Sequence, residues 1–207
     1  MSPQDQDLKT KAARVVEHLR SIGIRMVAID FDRTILKIHT GGVWRGTLEE
    51  LQQQVRPELA TLIQTIDRYN KEHEKQQQHQ QQSSSRLHMA VVTFSGQVSF
   101  VGGVLQSILP ESYQAIPIRG EDDSWREPHP NLGWWPADAD VNYDSAKQSH
   151  MLSAWQALES KNISKEATVL IDDDVFNVQV AKTNGVRGVV LYPQNPGKML
   201  NDLLELK

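Results

Sequence analysis

Residues 24–31, IRMVAIDF, constrain this chain more than any other stretch. Met26, Val27, Ala28 and Ile29 are apolar without alternation, and a strand apolar on both faces suits a parallel sheet covered by helices on both sides. The run stops abruptly at Asp30, and Asp32 follows after one residue. Comparable runs recur as MAVVTF (89–94), TVLID (168–172) and RGVVLY (187–192), with QAIPI (114–118) as a short third strand in chain order.

Amphipathic helices separate these runs. Leu8, Ala12, Val15, Leu19 and Ile22 repeat at spacings of four and three, which marks one helix face, and Gly23 is a natural stop. TLEE pairs an N-cap Thr47 with Glu50 at the capping-box position. Pro57 kinks or restarts that helix, and Leu59, Leu62, Ile63 and Ile66 carry its apolar face onward. Further helices are predicted through Val98–Ile108, through Met151, Trp155 and Leu158, over Val178–Asn184, and after Pro196. Strands alternating with helices predict an α/β fold: a three-layer α/β/α, doubly wound, Rossmann-like arrangement on a mainly parallel five-stranded sheet. A single domain over residues 1–207 is expected.

Two stretches break the pattern. Residues 71–86, KEHEKQQQHQQQSSSR, lose the apolar stripe and read as a disordered Gln/Ser-rich loop. A metal role for His73, His79 and His88 is disfavoured, because polar low complexity does not fix ligand geometry. Residues 119–143 read as a long loop insertion rather than a full cap domain. HTGGVWRG, residues 39–46, reads as a turn or small flap around Gly41 and Gly42.

Composition removes several function classes. There is no cysteine, so disulfides, thiolate metal sites and cysteine catalysis are excluded. A net charge of −4 makes no case for nucleic acid or an anionic membrane surface. No apolar run is long enough to span a bilayer, and MSPQDQD lacks the features of a secretory signal. The expectation is a soluble, cytoplasmic protein.

The carboxyl ends of parallel strands are where such folds bind ligands. Here they carry Asp30 and Asp32, then Thr93, Phe94 and Ser95, then Asp172, Asp173 and Asp174, with Asn177 in the next helical turn. A lone strand-end aspartate usually caps a turn. Three in a row repel one another and persist most naturally beside a cation. Oxygen donors without cysteine favour a hard ion such as Mg²⁺. Asp144 or Ser145 is a suitable N-cap, which puts Lys147 in a first helical turn, where its charge opposes the helix dipole. A lysine there is either a snorkelling surface residue or a cation aimed at an anion.

DFDRT resembles the first motif of the haloacid dehalogenase-like (HAD) superfamily of phosphohydrolases, DxDxT/V. VVT is similar to the second, Lys147 to the third, and IDDDVFN to the fourth, DD-x-x-x-N, in the same order and over residues 24–192. The resemblance implies a phosphomonoester hydrolase of minimal-cap type acting through an aspartyl-phosphate. Asp30 would be nucleophile, Asp32 general acid-base, Lys147 charge balance, and Thr93, Phe94 and Ser95 the phosphate-binding group. Mg²⁺ would be held by Asp30, the Asp32 carbonyl and Asp173, with Asp172 as the alternative ligand. Asp173 is preferred because Asn177 lies four residues after it. Asp174 would face solvent.

Asp32 disfavours the dehalogenase branch, which lacks that second aspartate. A phosphotransferase or mutase, and a non-catalytic scaffold on the same fold, stay open. DADVNYD (138–144) imitates an EF-hand loop but has Tyr143 where that loop needs glycine. With no full cap, the site is expected to be open to a phosphoprotein or a small phosphate ester. Trp44, Arg45, Trp134 and Trp135 are candidate substrate contacts, with local packing as the alternative.

Overall fold

The computed structural model describes residues 2–77, 86–122, 147–158 and 163–207. Five parallel strands form one sheet: β1 Met26–Ile29, β2 His88–Val92, β3 Ile118–Arg119, β4 Thr168–Asp172 and β5 Arg187–Val190, in the order β3-β2-β1-β4-β5. β1 is therefore central, with every side chain buried.

Alternate residues of each strand serve different layers. Val27, Ile29, Met89, Val91, Val169 and Ile171 pack with α1 (Pro3–Ser21), α3 (Pro57–Gln77), α4 (Val98–Ile108) and α7 (Gly197–Leu204). Met26, Ala28, Ala90, Val92 and Leu170 pack with α5 (Gln148–Ala157) and α6 (Val175–Thr183). Both faces are covered, which is why the strand sequences show no polar alternation. This is the three-layer α/β/α arrangement expected from the strand and helix pattern.

Local signals set the helix starts. Ser2 and Asp5 form a reciprocal capping box on α1, and Thr47 and Glu50 form one on α2 (Leu48–Gln52), as TLEE predicts. α3 begins at Pro57, so the chain restarts rather than kinks there. Among the described residues no helix is long and apolar enough to cross a membrane.

The structure departs from expectation in four places. α3 continues through Gln77, so the first residues of the predicted 71–86 loop are helical. Asp67–Lys71 pairing at 3.0 Å, His73 stacked on Tyr69 and Arg86 paired with Glu74 at 3.1 Å supply local support that hydropathy does not register. Residues 78–85, with His79, lie outside the described residues. β3 is two residues long rather than spanning 114–118. Tyr113–Ala115 forms a 3₁₀ turn, and Pro117 has no N–H to give the ladder. Lys147 is the N-cap of α5 rather than a first-turn residue, with its carbonyl accepting from the Met151 N–H. The expected caps Asp144 and Ser145 lie outside the described residues. α6 starts at Val175, three residues before the predicted Val178, because Asp174 caps it.

Candidate active site

Parallel register brings the acids together. Ile29 is level with Val91 and Ile171, and the Asp30 N–H donates to the Ile171 carbonyl at 2.9 Å. One step further, Asp30 stands beside Asp172, the last residue of β4. The chain then makes a single wide turn over Phe31–Ile35, closed by Leu36 N–H to the Phe31 carbonyl at 3.0 Å. Phe31, Thr34 and Ile35 are buried, while Asp32 (ψ 134°) and Arg33 (φ 56°) leave helical geometry. A non-glycine residue at positive φ is uncommon. Here the buried Arg56 guanidinium donates from Nε to the Arg33 carbonyl at 3.2 Å, and the Arg33 N–H reaches the Ile38 carbonyl at 2.8 Å.

Lys147 is 2 % exposed. Its Nζ donates to Asp30 Oδ1 and lies 2.9 Å from Asp172 Oδ2, so of its two readings the structure supports the cation aimed at an anion. Asn177 Nδ2 donates to both Asp172 oxygens, at 3.2 and 3.1 Å. Asn177 thus braces Asp172, not Asp173. Asp173 sits differently: its N–H donates to Thr34 Oγ1 at 3.1 Å, and its carboxylate is half-buried. With Asp172 committed to Lys147 and Asn177, Asp173 is the freer donor. Asp174 is exposed and caps α6 through the Phe176 N–H.

Charges this crowded perturb one another. Burial raises the Asp30 carboxyl above its usual range, against the pull of Lys147. Burial and the neighbouring Asp30 push Asp172 up to about 6. Asp173 is raised by burial and by Asp172. Lys147 loses solvation on burial, yet Asp30 and Asp172 hold its ammonium above the ordinary lysine value.

Asp32 turns the other way, toward the flap. Thr40 Oγ1 donates to its carboxylate, 2.9 Å from each oxygen, and His39 Nδ1 lies 3.0 Å from Oδ2. Gly41 and Gly42, at φ 63° and 70°, reverse the chain just beyond. On the opposite wall, Thr93 Oγ1 accepts from the Ser95 N–H at 3.1 Å, which leaves the hydroxyl proton available to a ligand oxygen. Ser95 Oγ accepts from the Gln97 N–H at 3.3 Å, and Phe94 projects 46 % exposed.

One cavity of about 340 Å³ gathers these groups: Asp30, Asp32, Thr93, Phe94, Ser95, Lys147, Asp172 and Asp173 all line it, as does Asn177. Trp44 and Arg45 do not line it. Trp44 packs partly into the core and donates from Nε1 to the Thr47 carbonyl, which favours its packing role. Trp134, Trp135, the rest of the predicted 119–143 insertion beyond Asp122, and the EF-hand-like DADVNYD lie outside the described residues. His39, Thr40 and Gln97 were not anticipated as site residues. The sequence offered only a His-Thr pair ahead of a Gly-Gly turn.

The donor set suits a hard divalent cation. Asp30, Asp172 and Asp173 each present an oxygen within 4.8 Å of the others. Three carboxylates crowd around one buried lysine ammonium, and all-oxygen donors of this kind suit a hard divalent cation.

No family model matches this sequence, and no curated protein matches it. Two solved structures are similar to it, both of the HAD domain of effector protein Lem4 from Legionella pneumophila, one an inactive mutant. The mutant is 12% identical, covers 88% of this chain and 93% of its own, and has a TM-score of 0.41. The other is 13% identical, with 88% and 94% coverage and a TM-score of 0.39.

Proposed function

We propose that this chain is a Mg²⁺-dependent phosphomonoester hydrolase of the HAD-like type, working through an aspartyl-phosphate on Asp30. The observation that carries the reading is the division of the acids around one cavity. Asp30 is held on Lys147 beside Asp172 and Asp173, while Asp32 stands apart on the flap.

A carboxylate oxygen of Asp30 attacks phosphorus as the ester P–O bond breaks, and Asp32 delivers a proton to the departing oxygen. Asp32, now a carboxylate, removes a proton from water attacking the acyl-phosphate, which frees inorganic phosphate and restores Asp30. Thr93 and the 94–95 backbone orient the phosphoryl oxygens, and Lys147 keeps the nucleophile ionised. Asp30, Asp173, the Asp32 carbonyl and alternatively Asp172 would hold Mg²⁺, which supplies charge neutralisation for the transferring group. Between β1 and α3 the described chain forms only the flap and the five-residue α2, which supports an open, minimal-cap site for a phosphoprotein or small phosphate ester.

The test is hydrolysis of an aryl phosphate with Mg²⁺ or EDTA, comparing wild type with Asp30→Asn. Mg²⁺-dependent turnover lost in Asp30→Asn supports the proposal. Equal rates in both proteins would overturn it, and no turnover in either would overturn it in favour of the non-catalytic scaffold.

A further inference from the structure

The flap carries an arrangement that the four-motif resemblance does not include. We infer that Thr40 is a positioning residue for Asp32, setting the carboxyl group in place to protonate the leaving oxygen. This rests on the phosphohydrolase reading and adds a specific role for the flap.

Thr40 holds Asp32 from a fixed point. Its hydroxyl donates to the carboxylate, 2.9 Å from both oxygens, while the same Oγ1 accepts from the Gly42 N–H at 3.2 Å. That second bond orients the Thr40 lone pairs toward the backbone and its proton toward Asp32. His39 Nδ1 holds Oδ2 from the side at 3.0 Å. A strand-end carboxylate left to solvent would sample several rotamers, and proton transfer requires it in one.

The flap is in turn fastened to the phosphate-binding wall. Gln97 Oε1 accepts from the Trp44 N–H at 2.5 Å, and Gln97 Nε2 donates to the Trp44 carbonyl at 3.0 Å, so its side chain pairs with that backbone as a strand would. The Gln97 N–H also donates to Ser95 Oγ. Gly42 lies close against Ser95, where an added Cβ would stand 3.7 Å from the Ser95 Cα. A continuous set of bonds and contacts thus runs from Asp32 through Thr40, the flap and Gln97 to Ser95. Geometry at the proton donor and at the phosphate site is set by the same segment.

The experiment compares two esters in Mg²⁺ buffer. Dinitrophenyl phosphate releases a stable anion that needs no proton, whereas glycerol phosphate releases an alkoxide that does. For Thr40→Val, kcat/KM on glycerol phosphate, which reports only the steps through release of the alcohol, is expected to fall on the order of ten- to a hundredfold, within the range general acid catalysis supplies. On dinitrophenyl phosphate it should stay within about threefold of wild type, which also reports that the variant is folded. Thr40→Ser, which keeps the hydroxyl, should restore glycerol phosphate turnover. Equal losses on both esters, or no loss on either, would overturn the role, as would a serine variant as selective as the valine. Asp32→Asn separates the two levels of the argument. If its kcat/KM fails to discriminate between the esters, or if wild type turns over neither, the phosphohydrolase reading fails and takes this role with it.

Discussion

The Lys147 ammonium donates a hydrogen bond to Asp30, 117 residues away along the chain, with both side chains almost wholly buried. The pair is not symmetrical in consequence. Lys147→Met leaves Asp30 and Asp172 facing each other without a cation, and removing one partner of a buried pair costs about 3–5 kcal/mol. Asp30→Asn instead removes one of three crowded carboxylates while Asp172 still engages Lys147, so stability should hold or rise. Urea denaturation of both variants in EDTA checks this. Equal losses would mean that the charges are not what the site's stability turns on.

Cation binding should couple to pH through the same acids. Asp30, Asp172 and Asp173 are all raised above their unfolded values, Asp172 to about 6. In the cation-free protein the contribution of Asp172 to stability is therefore full at low pH and is lost as pH rises through about 6, and Asp30 and Asp173 act in the same direction. Mg²⁺ favours the ionised forms. The rise in melting temperature on adding Mg²⁺ should be large near pH 8, equivalent to about 2.7 kcal/mol at a hundredfold excess over Kd, and should fade near pH 5. A shift independent of pH would indicate that Mg²⁺ binds elsewhere.

His88 makes the opposite prediction at the other end of its strand. Burial, with Arg86 and Arg25 nearby, lowers it to about 4. The folded chain then resists a proton that the unfolded chain accepts near pH 6.5, so stability is full above about 6.5 and falls as pH drops toward 4. His88→Gln should flatten that part of the profile in a series of thermal melts.

Gly120 supports the phosphate wall from behind. An added Cβ would stand 2.4 Å from the Ser95 carbonyl oxygen and 2.8 Å from Val98 Cγ2. Gly120→Ala must move Ser95, at a cost of about 1–3 kcal/mol, and should weaken competitive inhibition by inorganic phosphate. Unchanged inhibition would place the phosphate away from Ser95.

What could be read from the sequence was whatever is decided locally. Thr168–Asp172 is the strand that TVLID predicts, and Thr47 and Glu50 make their capping box, because hydropathy and cap chemistry act over a few residues. Partner choice across the sheet is not local. Counting residues gave Asn177 no partner, and the start of α6 brings its amide to Asp172. Substrate contact and local packing were both open for Trp44 in the sequence, and only its neighbours in the fold show it packed against the core. His39 and Thr40 became visible only once the turn at Asp32 and Arg33 aimed the carboxylate at them.

The alternation of strand residues between the two layers has one further consequence. Carried one place beyond Ile29 and Ile171, it sends Asp30 and Asp172 to the α5 side, and α5 is the helix whose N-cap is Lys147. Position along β1 thus behaves as a reading frame for charge. One residue inserted between Met26 and Ile29 would keep the motif intact, yet turn the nucleophile away from the α5 layer and Lys147.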